Sequence, residues 1–176
     1  MTTRKIIIAD YDSNWPTKFE NEKQSLQKLL TDCFIDCFHI GSTAVPGLAA
    51  KPVIDMLMTV SSLEQVDLHQ AVLERSGYTV KGENGIPGRR YFFKGNDVRE
   101  FHIHAYEKDH PDVERHLAFR DYLRSHHAIA RQYEAIKKKA VVAANQSPDL
   151  YVKYKDAFIK EHEIKALSLI GKKSGK

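Results

Sequence analysis

The sequence predicts an α+β fold: a mixed sheet of about five strands with helices packed against it, then a helical C-terminal third. Three observations carry that expectation. Short runs rich in β-branched and aromatic residues recur between Arg4 and Tyr106. Stretches with apolar residues at three- and four-residue spacing fall between those runs. From Pro111 onward the pattern is helical to the end.

Arg4 to Ala9 is a β-branched run and reads as a strand. Ser13-Asn14-Trp15-Pro16 combines capping residues with an early proline. It opens a helix carrying Phe19, Leu26, Leu29 and Leu30 at helical spacing, with Trp15 as a packing anchor. Phe34 to Ile40 and Val53 to Val60 read as strands. Residues 63 to 76 form an amphipathic helix with Leu63, Val66, Ala71 and Leu73 inward, ended by Gly77. Tyr78 to Lys81 is a brief strand, and Gly82 to Arg90 is a loop rich in glycine and proline. Tyr91-Phe92-Phe93-Lys94 and Arg99 to Tyr106 form a hairpin turning at Gly95-Asn96-Asp97. Helices follow over about 111 to 125 and 127 to 144, the second with Ile129, Tyr133, Ile136 and Ala140 on one face. A last helix opens at Ser147-Pro148-Asp149, where serine caps and proline fits the first turn.

With 176 residues the chain suits one domain, 1–176, around a single core. Hydrophobic residues make up 42% and charged residues 28%, the balance of a folded rather than a disordered chain. No apolar run approaches the roughly 20 residues that cross a bilayer. The apolar stretch before Asp10 is too short for a secretory signal, so no membrane partner and a cytoplasmic location are expected. Cys33 and Cys37, if on one strand, stand about 13 Å apart, beyond disulfide reach, and read as reduced, half-buried thiols. The net charge of +4 suits an anionic ligand. Part of it sits in the tail Lys172-Lys173-Ser174-Gly175-Lys176, read as a solvated end. Basic residues do not cluster with aromatics, so a nucleic-acid partner is not expected.

Three constellations carry chemistry. Gly41-Ser42 directly follows a strand; glycine permits close approach to a ligand, and the serine can donate its hydroxyl or cap a turn. Asp55 lies within an apolar strand, where a carboxylate must be paired, bind a metal or face a cleft. Lys51 can be its partner or a phosphate contact. In the run Arg99 to Ala105, alternation puts Glu100, His102 and His104 on one face and Phe101 and Ile103 on the other. Two imidazoles so spaced can hold one metal with a carboxylate as a third ligand, or line a solvated face. Arg89-Arg90 can clamp phosphate or carboxylate, or be solvated on a hairpin shoulder. His110, His116, His126, His127 and His162 read as surface residues.

Several of these segments resemble the GrpB family: "GSTAVPGLAAKPVID" from Gly41, "GENGIPGRRYFF" from Gly82, "HIH" from His102, "HLAFRDYLR" from His116 and "DSNWPTKFE" from Asp12. The likeness runs from about residue 6 to 160. It implies a nucleotidyltransferase-like fold, in which Gly41-Ser42 match the phosphate loop and Asp55 the first acid of an Asp-x-Asp/Glu metal pair. The second acid is missing, since Leu57 stands two positions beyond Asp55. The resemblance therefore implies either lost transfer chemistry or a divalent ion held by Asp55, His102, His104 and Glu100, which would favour a transition metal over magnesium. Domains of this kind occur fused to dephospho-CoA kinase. That implies a nucleotide or CoA-like ligand, and either an enzyme of nucleotidyl or phosphoryl transfer or phosphate-ester chemistry, or a non-catalytic module serving a CoA-pathway kinase.

Overall fold

The computed structural model describes residues 5–173; Arg4 and Ser174-Gly175-Lys176 of the sequence reading lie outside them. Helix α1 (Trp15–Leu29) leads into strand β1 (Phe34–Ile40), a 3-10 turn (Ser42–Ala44) and strand β2 (Ile54–Val60). Helices α2 (Leu63–Leu68) and α3 (Gln70–Arg75) precede strands β3 (Tyr78–Val80), β4 (Arg89–Lys94) and β5 (Phe101–Glu107). Helices α4 (Pro111–Ser125), α5 (His127–Ala144) and α6 (Pro148–Lys173) complete the described chain.

The strands form one sheet in the order β1-β2-β5-β4-β3, with β2 and β5 parallel and the other neighbours antiparallel. Alternation along each strand sorts the residues between two faces. Met56 and Met58 of β2 and Ile103 of β5 meet Leu26 of α1, Val66 of α2 and Leu73 of α3 on one face. Both methionines are fully enclosed, each contributing about 1.5–3 kcal/mol by the usual scale of apolar burial. On the other face Leu57 and Tyr106 join Ile40 beneath Val113 and Leu117 of α4. Helices α5 and α6 pack together through Tyr133 and Phe158, whose rings stack at 5.2 Å. Their core also takes in Val45 and Leu48.

The α+β class, the mixed sheet and the helical C-terminal third are as the sequence predicts, and the fold departs from that reading at particular residues. The run before Ala9 is not a strand: only Ala9 bridges to Ala50. Ile6 instead packs with Ala140, Ala144 and Tyr151, and its N–H donates to Gln146 Oε1 at 2.6 Å, so helices rather than a strand satisfy this β-branched segment. The helix expected over 63 to 76 breaks at His69, whose Nδ1 lies 2.7 Å from the Gln65 carbonyl. Ala71 is exposed and Leu73 takes the inward place. Strand β4 begins at Arg89, two residues before the expected start, because the Arg89–Tyr106 pair extends the hairpin ladder. Cys33 precedes β1 and Cys37 lies in it; both are free and fully buried rather than half-buried. On α1, Glu22 shares the buried face, receiving the Tyr78 hydroxyl and, at 3.0 Å, the Lys94 ammonium. On α5, Lys137 is buried where Ile136 is only half-buried.

Candidate functional site

A cleft of about 270 Å³ lies where β1 ends and β2 and β5 begin. Its lining includes Gly41, Ser42, Lys51, Asp55 and His102, with α5 and α6 supplying the opposite wall. The five named residues come from three separate sequence segments, and the two helices add more. Register explains the meeting: Asp55 pairs with Ile40 of β1 on one side and with His102 of parallel β5 on the other. The chain turns directly after Ile40 at Gly41, in the left-handed region with φ 72°, and enters the 3-10 turn that carries Ser42.

Asp55 is half-buried, with 34% of its side chain exposed, and both imidazoles face it. Its Oδ1 lies 3.4 Å from His102 Nδ1 and 3.7 Å from His104 Nε2. Burial pushes the carboxyl up, but the hydrogen bonds and charge of His102 and His104 outweigh it and hold Asp55 far below the usual carboxylate range. The group is an anion and hydrogen-bond acceptor throughout the working pH range. His102 Nε2 is enclosed and has no hydrogen-bond partner among the described residues. Glu100, by contrast, precedes β5, is exposed and does not line the cleft.

Arg89 acts on this cluster from behind. Its Nη1 lies 3.4 Å from His104 Nδ1, and guanidinium can only donate, so Nδ1 accepts and a neutral His104 keeps its proton on Nε2, facing Asp55. The same side chain donates to the carbonyls of Glu83 at 3.2 Å and Asn84 at 2.9 Å, which fixes it under the Gly82–Gly88 loop. Arg90 points elsewhere: Asp67 of α2 receives Nε at 2.7 Å and Nη2 at 2.9 Å. Neither arginine is in the cleft lining.

The helical wall holds what the sequence reading missed. Lys137, only 2% exposed, donates to the Ala49 carbonyl at 2.5 Å, and Glu134 one turn earlier receives the Ala49 N–H at 3.0 Å. Helix α5 therefore holds both polar groups of the peptide segment just before Lys51. Burial, reinforced by Lys155, pushes Lys137 down to about 7. Lys155 of α6 sits 4.2 Å from the Tyr151 ring centroid, and burial brings it down to about 8 against the pull of Asp55. Lys51, Lys137 and Lys155 thus share a cleft whose lining carries one carboxylate, Asp55. The signal for Lys137 was in the spacing: within Lys137-Lys138-Lys139 only the first falls on the stripe of Tyr133 and Ala140. Several histidines read as surface residues are not: His162 is buried, and His116 is half-buried, pushed down to about 3 by burial and then by His104.

The donor set can be tested against a divalent ion. Magnesium takes an oxygen shell, and here β2 offers one carboxylate, with Leu57 enclosed in the core where a second would stand. The two imidazole nitrogens lie 3.4 and 3.7 Å from one carboxylate oxygen, Asp55 Oδ1, and no group of three His, Cys, Asp or Glu side chains among the described residues is placed to hold a metal.

Among the described residues no helix is long and apolar enough to cross a membrane. Residues 5–165 match the model of the family described as GrpB protein. The crystal structure of the conserved protein GrpB from Enterococcus faecalis superposes with a TM-score of 0.90 at 46% identity, covering 93% of this chain and 99% of that one. The UPF0157 protein YqkA of Bacillus subtilis is 46% identical over 160 residues, 91% of this chain but 47% of YqkA, so the chain spans about half the length of that relative. A dephospho-CoA kinase of Mycolicibacterium paratuberculosis is 26% identical, again over 47% of its own length. The MgGTP-bound Cid1 poly(U) polymerase shares the fold with a TM-score of 0.52 at 16% identity, over 74% of this chain and 43% of that one. The fold is nucleotidyltransferase-like.

Proposed function

The chain belongs to the GrpB family, and from that premise we propose that its cleft binds a nucleotide or CoA-like phosphate ester and carries out nucleotidyl or phosphoryl transfer, or phosphate-ester hydrolysis. One observation carries the reading: Gly41, Ser42, Lys51, Asp55 and His102, distant in sequence, line a single cleft to which Lys137 and Lys155 add further amines. Phosphate oxygens lie against the Gly41-Ser42 backbone and the lysines, which offset their charge. Asp55 accepts a hydrogen bond from the attacking hydroxyl or water and orients it. His102 and His104 hold Asp55 ionised, and Arg89 orients His104. Arg90 is committed to Asp67 and serves the loop rather than the ligand.

A second reading is favoured by Leu57. Without the second acid the domain is a nucleotide- or CoA-binding module that assists a partner enzyme such as a dephospho-CoA kinase, and the 26% identity to such a kinase is the ground for naming it. A divalent ion, magnesium or transition metal, would draw on Asp55, His102 and His104.

Calorimetric titration of the purified chain with ATP and with CoA, each with EDTA, magnesium or zinc, separates the readings. Binding that weakens in Asp55→Ala and His102→Ala, with product formed in the presence of a metal, supports the enzyme. Metal-independent binding unchanged in both variants leaves the module. Absence of binding to either ligand removes both.

A further inference from the structure

Two motifs of the sequence, Asp12 to Glu20 and His116 to Arg124, contribute no residue to the cleft lining. The fold nevertheless brings them together. Among the described residues β1 is an edge strand; α1 and α4 both pack against it, and between them lies a second pocket of about 350 Å³. Phe19 comes from the first motif and Arg120 and Arg124 from the second, while Cys37 and His39 of β1 supply the floor.

The charges in this pocket are uneven. Arg120 donates through Nη1 to the His39 carbonyl at 3.3 Å and through Nε to Asp121 at 2.8 Å. Arg124 donates through Nε to the Ala44 carbonyl at 2.8 Å. A guanidinium carries five N–H donors, so these bonds leave further donors on both side chains. The floor adds no negative charge. Burial, then the nearby Arg124, pushes His39 down to about 4, and burial pushes the Cys37 thiol up to about 12, so both are neutral at physiological pH. Glu20 lines the pocket at its rim, and Asp121, the partner of Arg120, also stands 3.9 Å from Arg124 Nη1; both carboxylates are exposed to solvent, where their charge is screened. Part of the wall is apolar: the Phe19 ring stacks on His39 at 4.9 Å, and Phe38 and two prolines lie in the same lining, with Tyr11 and Thr43 adding hydroxyls.

We propose that this pocket is a second ligand site, shaped for a small organic oxyanion whose carboxylate or phosphate meets Arg120 and Arg124 while a ring or short apolar body lies against Phe19. It is wired to the cleft. Thr43 lines both pockets and bonds to His39 Nε2 at 2.8 Å, and Arg124 holds the carbonyl of Ala44 in the same 3-10 turn that carries Ser42. An oxyanion that draws Arg124 from Ala44 loosens that turn and changes affinity in the cleft. This coupling rests on the cleft's reading as a phosphate site; the second site does not.

The test titrates the full chain with benzoate and, separately, with phenyl phosphate, following the fluorescence of its single tryptophan and checking by calorimetry. Trp15 packs edge-on at 5.4 Å against Tyr11, which lines the pocket. The expected result is saturable binding that weakens about tenfold or more in Arg124→Met, as loss of a charge-assisted bond predicts, and is unchanged in Lys155→Met. The stronger of the two probes identifies the oxyanion. Arg124 is 40% exposed, so its variant should fold; Arg120→Gln, checked by thermal melting, is the second probe of the same pair. No saturable binding of either probe overturns the site, as does binding lost in Lys155→Met and kept in Arg124→Met, which would move the anion to the cleft. With the site established, an ATP affinity unchanged by saturating benzoate overturns the coupling alone.

Discussion

A Cβ built on Gly41 would stand 2.7 Å from Oδ2 of Asp55, and the backbone there, at φ 72°, already lies where L side chains are strained. The loop glycine and the strand acid are one unit: the carboxylate keeps its place between two imidazoles because residue 41 has no side chain. Gly41→Ala must either move Asp55 or shift the turn. A loss of about 1–3 kcal/mol in chemical denaturation is expected, together with loss of ligand binding in the cleft. A Gly41→Ala protein of wild-type stability and affinity would contradict this coupling.

Restoring the missing acid should fail. Leu57 is fully enclosed against Ile40 and Tyr106, so Leu57→Asp places a carboxylate in an apolar cluster. Destabilisation of about 4 kcal/mol or more is expected, read as a lower denaturant midpoint or loss of soluble protein. A stable Leu57→Asp protein with new magnesium binding would mean that this position belongs to the cleft.

Anion binding in the cleft should weaken with rising pH. Lys155 loses its charge near 8 and Lys137 near 7, well below exposed lysines. Affinity for inorganic pyrophosphate, measured by calorimetry between about pH 6 and 9.5, should fall across that range. Lys155→Met should bind more weakly at the low end and show a flatter profile. A pH-independent affinity in the parent protein would remove these lysines from the binding site.

Stability should follow the opposite slope. Both lysines have folded values below the 10.5 of the unfolded chain, so above about 7 the unfolded state holds more protons. Their contribution therefore rises with pH between about 7 and 10.5 and is constant below that window. Lys137→Met should flatten this rise, while losing the bond to Ala49 costs about 1 kcal/mol at every pH. Urea midpoints at several pH values, compared between the two proteins, read both effects.

Much of this was legible in the sequence, for local reasons. The bounds of β1, α4 and α5 follow from apolar periodicity and from proline and cap residues, which act within a few positions. Alternation put His102 and His104 on one face of their strand, and motif likeness singled out Gly41, Ser42 and Asp55. The 63 to 76 helix could not be read as broken, because a side-chain bond from His69 interrupts it rather than a breaker residue. The buried charges escaped for another reason. Glu22 and Lys137 look like solvent-facing residues until Tyr78, Lys94 and the Ala49 carbonyl arrive from distant segments.

The sequence by itself determined the class of fold, the family and the polar residues that converge on the cleft, because period, punctuation and motif are properties of neighbouring positions. Only the tertiary structure decided which charges face one another. Register set Asp55 beside His102, while the packing of α5 and α6 brought Lys137 and Lys155 to the cleft. Arg89 became a support for His104, and Arg90 was withdrawn to Asp67. Pairing energies depend on distance and burial, and both are fixed only when strands from remote parts of the chain come into register and the helices close over them.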